Sequence, residues 1–195
     1  MPSLAAPRVV VFAGPNGAGK STHAEAILSA LGIDTFVNAD FIARGLAGRH
    51  TETVAITAGR IMLNRLRDLA EAGQDFAFES TLSSRTFLLF LKRLRLQGYH
   101  VAIYFFALRS SRLALRRVRH RVALGGHDVP ADVVIRRFGR SLHNFSSLYT
   151  EVADEWMMFD NSSGTTARLI AQFVGGRTTI EDNALWLKLQ KLAHA

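Results

Sequence analysis

Gly14-Pro15-Asn16-Gly17-Ala18-Gly19-Lys20-Ser21 decides how the rest of this 195-residue chain is read. It fills every fixed position of the phosphate-cradling pattern G-x-x-x-x-G-K-[ST]. Its setting makes the match specific. The apolar run Val9-Val10-Val11-Phe12-Ala13 predicts a strand over 8–13, and the residues from Thr22 to Leu28 continue a helix predicted over 19–31, stopped by Gly32. Gly14, Gly17 and Gly19 let the backbone turn tightly and aim N–H groups at phosphate oxygens, while the helix start adds the positive end of its dipole. Lys20 has the reach for β- and γ-phosphates, and the Ser21 hydroxyl is the type that ligates Mg²⁺. Asn16, Ala18 and Thr22 complete the candidate nucleotide contacts. A glycine-rich turn merely joining strand to helix is the plainer reading. The four fixed positions in a strand–loop–helix context set it aside, and the expected ligand is ATP with Mg²⁺.

Working outward, the chain alternates strand and helix. Strands are predicted at 8–13, 35–38, 75–79, 100–108 and 155–159, with Leu169 to Val174 as an edge. Helices are predicted at 19–31, 51–73, 84–97, 110–124 and 131–149, and from about Asp182 onward. In the 51–73 helix, Val54, Ala58, Ile61, Leu66 and Leu69 form the apolar stripe. Alternating βα units predict a three-layer α/β/α domain spanning 1–195 with a parallel sheet, whose ligands bind at the carboxyl ends of the strands.

That rule singles out two acids. Asp40 follows the second strand, where a carboxylate either takes a proton from an acceptor hydroxyl or, with Asn38, caps a short helix through Arg44. Glu79 ends the third strand. It either holds Mg²⁺ through water or binds a substrate hydroxyl, or caps the helix that follows.

The chain carries 24 Lys+Arg against 16 Asp+Glu, a formal +8, which favours polyanionic partners. Much of the excess sits on the helix from Ser111, an expected lid over 110–130. Leu115, Val118 and Val122 form its inward stripe, Arg112, Arg116 and Arg119 one flank, Arg117 and Arg121 the other. Arg137, Arg140 and Asn144 line the flank of the next helix. Between Leu108 and Arg137 there is no aromatic residue on which a base could stack, so a nucleic-acid partner is not expected. His127 either shapes the lid loop or takes part in the site. The seven histidines lack metal-ligand spacing, and with no cysteine there is neither a disulfide framework nor a thiolate metal site. The first eight residues do not predict a signal peptide, no apolar run reaches membrane length, and a cytoplasmic location is expected.

The D-x-x-G and [NT]-K-x-D elements of GTPase switches and the L-S-G-G-Q signature of transporter ATPases are absent. A small domain with an arginine-bearing lid suits the small-molecule kinases instead. The combination of GPNGAGKST, N-A-D-F-I-A at 38–43, F-E-S-T at 78–81, R-V-x-x-R-V-x-x-G-G-H-D-V-P across 117–130, R-R-F at 136–138 and D-N-S at 160–162 resembles the compact zeta-toxin-like kinases over residues 8–163. The resemblance implies a P-loop kinase fold and transfer of the ATP γ-phosphoryl group to the 3′-hydroxyl of the amino sugar in UDP-N-acetylglucosamine. It places Lys20 and Ser21 on triphosphate and Mg²⁺, makes Asp40 the catalytic base, and puts Glu79 and Thr81 on the sugar nucleotide and Arg117 on phosphate. It also suggests an antitoxin protein as partner. Where larger toxins have a second lid arginine, this chain offers His127, leaving Arg121 or Arg137 to supply that charge. Phosphorylation of another small hydroxylated metabolite and a slowly hydrolysing nucleotide switch are the rival readings.

Overall fold

Strand β1 (Arg8–Ala13) lies between two parallel neighbours, and its residues Val9 to Ala13 are at most 2% exposed. A run of valines covered on both faces is what a parallel sheet with helices on either side demands. The computed structural model describes residues 6–46, 52–126, 128–163 and 166–194. Its elements follow in order: α1 (Lys20–Leu31), β2 (Phe36–Val37), α2 (Ala39–Leu46), α3 (Glu52–Glu71), β3 (Phe76–Ser80), α4 (Thr86–Leu96), β4 (His100–Ala107), α5 (Ser111–Ala123), α6 (Ala131–Asn144), β5 (Glu155–Asp160), β6 (Arg168–Val174), β7 (Arg177–Ile180) and α7 (Asn183–His194).

One sheet runs β2-β3-β1-β4-β5-β6-β7. The first five strands are parallel, so their carboxyl ends gather the loops after β1, β2, β3, β4 and β5 at one edge. The last two depart from the predicted parallel pattern. β6 pairs antiparallel with β5, and β7 returns along β6 through Gly175-Gly176, both at positive φ (58° and 75°). That two-residue turn needs left-handed backbone at both positions, which glycine adopts without a Cβ penalty. No strand is predicted between Val174 and the last helix, so β7 is an addition to the expected elements. Asp182 accepts the Leu185 N–H (2.9 Å) and caps α7, whose Trp186 stacks on Trp156 of β5 (5.9 Å, 3°).

Two helices differ from the expected pattern. In α3 the buried row is Ala58, Met62, Leu66 and Leu69, while Ile61 is 39% exposed; the start expected at Thr51 lies outside the described residues. The helix expected over 131–149 changes to a π-helical turn at Phe145–Tyr149. Widening the helix there lets both Phe145 and Tyr149 reach the core.

Candidate active site

The P-loop is wedged from three sides, which explains its glycines. Gly17 (φ 76°) has no room for a side chain: a Cβ there would lie 3.0 Å from the Ala114 carbonyl oxygen and 3.2 Å from the Arg117 Cβ, both on α5. A Cβ on Gly19 (φ 81°) would strike the Asn161 side-chain amide, and one on Gly14 would strike the Phe106 carbonyl oxygen of β4. Asn161 donates its Nδ2 to the Ala18 carbonyl (2.8 Å), tying the loop after β5 to the cradle. The helix then starts at Lys20, so its free N–H groups face the cradle.

Lys20 is 6% exposed, and its ammonium donates to the Pro15 carbonyl (3.1 Å). It also lies 3.4 Å from Glu79 Oε1. The other oxygen of Glu79 accepts from Ser21 Oγ (2.5 Å) and from Asn38 Nδ2 (2.9 Å). Glu79 therefore gathers the P-loop lysine, the P-loop hydroxyl and the end of β2 around one carboxylate. It does not cap α4, whose N-cap position is Arg85. Among the described residues no group of three or more His, Asp or Glu could hold a metal. Ser21 and Glu79, hydrogen-bonded to each other, are the oxygens that would meet Mg²⁺ carried by a triphosphate. The glycine cradle, the buried ammonium and these oxygens fit a Mg-nucleoside triphosphate.

Asn38 settles which residue caps α2. Its Oδ1 accepts the Asp40 backbone N–H (2.8 Å). Asp40 sits in the first turn instead, with its side chain lining two clefts that meet at the P-loop. One cleft, about 460 Å³, includes Ser21, Thr22, His23, Arg117 and Asn161. The other, about 510 Å³, is walled by α3, the loop after β3, and Arg137 of α6. Gly17, Lys20, Asn38, Asp40, Glu79 and Arg121 line both. Asn16 faces the larger cleft, and His23 lies flat on Phe106 (5.0 Å, 6°) beside the smaller one.

The lid helix presents its two arginine flanks differently. Arg117 and Arg121 turn toward the clefts, whereas Arg112, Arg116 and Arg119 are exposed. Arg117 donates to the Ser162 carbonyl (3.2 Å) and to the Gly17 carbonyl (3.4 Å). Burial lowers its pKa, Arg116 lowers it further, and Asp160 pulls in the opposite direction. Arg137 is lowered for the same first reason, then by Arg136, with Asp40 opposing. The Arg137 guanidinium thus feels the Asp40 carboxylate across the larger cleft. His127 lies outside the described residues.

Thr81 lines the larger cleft with Ser80, Ser83, Ser84 and Thr86, and its Oγ1 lies 2.8 Å from Ser83 Oγ. Leu82 between them has φ 51°, the described non-glycine residue at positive φ. Such a backbone costs about 1–3 kcal/mol and persists only where surroundings enforce it. Here Asn144 Nδ2 donates to the Leu82 carbonyl (2.7 Å) and the Tyr149 hydroxyl donates to Ser84 O (2.8 Å). Burial pushes the Tyr149 hydroxyl up to about 12. Asn144, expected on the flank of this helix with Arg137 and Arg140, is buried. Arg60 of α3 also lines this cleft; it falls outside the apolar stripe, and no motif marks it.

A P-loop, a helical lid carrying two inward arginines, and a P-loop-adjacent carboxylate are thus assembled on a mostly parallel sheet. A family model for the zeta toxin matches residues 1–168. The chain belongs to the zeta toxin family. An uncharacterized protein of Haemophilus influenzae is 27% identical over 131 residues, covering 67% of this chain and 92% of that protein. Among solved structures, a chain of the AvrRxo1-ORF1:-ORF2 complex with ATP superposes with a TM-score of 0.75 at 16% identity, over 96% of this chain and 63% of that one. The present zeta toxin family member therefore spans less than two thirds of that relative. The PezAT toxin–antitoxin system of Streptococcus pneumoniae gives 0.62 at 12% identity, over 98% and 88%. These likenesses carry the α/β fold, and β6, β7 and α7 lie largely beyond the residues that the zeta toxin family model matches. Among the described residues no helix is long and apolar enough to cross a membrane.

Proposed function

We propose that this protein is an ATP-dependent phosphotransferase that moves the γ-phosphoryl group to a hydroxyl of a small molecule, with a nucleotide sugar such as UDP-N-acetylglucosamine as the favoured acceptor. One observation carries the proposal: two clefts meet at a junction lined by Lys20, Asp40, Glu79 and Arg121. A nucleotide seated on the P-loop has its terminal phosphate at that junction, and an acceptor in the larger cleft brings its hydroxyl there from the other side.

Each residue then has a defined task. Lys20 and the P-loop N–H groups hold the phosphates. Ser21, with Glu79 behind it, meets Mg²⁺, which when bound neutralises charge on the phosphoryl oxygens. Asp40 is relieved of capping by Asn38 and accepts the acceptor's proton as its oxygen bonds to the γ-phosphorus and the β–γ bridge oxygen leaves with ADP. Arg117 and Arg121 meet the charge that spreads over the equatorial oxygens. The hydroxyls of Ser80, Thr81 and Ser83 suit a sugar, and Arg60 and Arg137 suit an anionic group on the same molecule. An antitoxin protein is the partner suggested by family membership and by the pneumococcal relative.

The test is incubation with Mg-ATP and a panel of nucleotide sugars and hydroxylated metabolites, read by mass. One panel member should gain a single phosphoryl group. ATP turned over only to ADP and free phosphate in the presence of every member would contradict the proposal.

A further inference from the structure

The run Asp160-Asn161-Ser162 ends β5 beside the start of the lid, and its contacts fasten three elements. Asn161 holds the P-loop through Ala18, and its backbone N–H donates to Ala107 O (3.0 Å) at the end of β4. Ser162 faces the lid: its carbonyl accepts from Arg117, and its Oγ accepts the Arg109 backbone N–H (3.0 Å). Behind both sits Asp160, 5% exposed. Its Oδ1 accepts the Ser162 N–H (3.0 Å), and its Oδ2 accepts from Nε and Nη2 of Arg109 (3.0 and 2.7 Å). Arg168 of β6 comes within 4.0 Å of the same oxygen while bonded to Asp182 (2.6 Å), the cap of α7.

We propose that Asp160 is a positioning residue for the lid: through Ser162 it fixes the carbonyl that aims Arg117 into the smaller cleft. The inference rests on the reading of Arg117 as a phosphate-facing arginine. Arginine loses much rotamer freedom when held in one pose, and a guanidinium helps transfer most when it is already in place. Its two tethers hold different arms of the fork: Nη1 donates to the Gly17 carbonyl and Nη2 to the Ser162 carbonyl, so the Ser162 carbonyl fixes one arm. That carbonyl is only as fixed as the residue that bears it, and Asp160 bonds the N–H of Ser162, one peptide before the carbonyl, while clamping Arg109, the residue before the lid's N-cap Ser110. The carboxyl of Asp160 sits below its ordinary range: burial works to raise it, but the Ser162 and Arg109 hydrogen bonds outweigh burial. It is therefore a charged anchor under ordinary conditions.

The experiment needs no acceptor. Binding of ADP with Mg²⁺ and aluminium fluoride, which mimics the phosphoryl group in flight, is compared with binding of Mg-ADP alone by calorimetry. The proteins are wild type, Asp160→Asn, Arg117→Ala and the double variant. Asp160→Asn should weaken the fluoride complex about tenfold and Mg-ADP hardly at all, with no further loss when added to Arg117→Ala. If Asp160→Asn melts early, Arg109→Gln breaks the same clamp from a side chain that is 54% exposed and should reproduce the pattern. An equal loss in both backgrounds, or a matching loss of Mg-ADP affinity, makes Asp160 merely structural and overturns the inference while leaving Arg117 its role. A silent Arg117→Ala overturns the phosphate-facing reading itself, and the inference falls with it.

Discussion

On the nucleotide side of the junction, the phosphate cradle is backbone: Gly17 and Gly19 pressed against α5 and Asn161, and the first N–H groups of α1. On the acceptor side the walls are side chains drawn from α3, α6 and the loop after β3, with Leu82 held at positive φ by Asn144. Backbone donors see phosphate whatever the rest of the ligand is, so the first half can be shared across a whole fold. Side chains see shape and charge, so on the proposed reading the second half is the one that would choose the substrate. The two halves should therefore respond differently to substitution.

The largest effect is expected at Lys20, the buried ammonium that serves both halves. Lys20→Ala should abolish phosphoryl transfer and greatly weaken ATP binding with the fold retained, as read by calorimetry and circular dichroism. Unchanged affinity for Mg-ATP would refute the P-loop assignment. Next comes the lid. Arg117→Ala should lower kcat about a thousandfold, Arg121→Ala less, and the exposed Arg112→Ala hardly at all. Arg117→Lys should recover little, because a point charge does not reproduce the fork. If Arg112→Ala or Arg116→Ala harmed turnover more than Arg117→Ala, the opposite flank would be the one that meets the nucleotide.

The nucleotide half was legible in the sequence because its determinants are local. Eight consecutive residues, from the end of a strand into the start of a helix, carry the cradle, and the phase of one helix separates Arg117 and Arg121 from Arg112, Arg116 and Arg119. The acceptor half was not, because its determinants are tertiary. Nothing near Leu82 announces a positive φ; the partner that enforces it, Asn144, is 62 residues away. Arg60 enters the cleft only because α3 packs along Ala58, Met62 and Leu66, and the expected stripe through Ile61 rotates that face. The hairpin of β6 and β7 did have a local signal in Gly175-Gly176, although no strand is predicted after Val174.

The smallest effect should fall on the acceptor half alone. Asn144→Ala leaves the buried Leu82 carbonyl without its partner and should cost about 1–3 kcal/mol of stability in denaturant unfolding. In the surviving folded protein the KM for the acceptor should rise more than the KM for ATP. Equal changes in both would mean that Asn144 supports the core rather than the cleft.

Asp40 stands where the halves join, and it gives the most direct test of the account. Asn38 already caps α2, so Asp40→Asn should leave melting temperature and ATP affinity unchanged. With γ-labelled ATP and the acceptor identified from the panel, the fraction of label that reaches the acceptor is measured for both proteins. The account predicts label in the acceptor with wild type and a rate lowered about a hundredfold or more in Asp40→Asn. Near-normal transfer by a well-folded Asp40→Asn protein would contradict it.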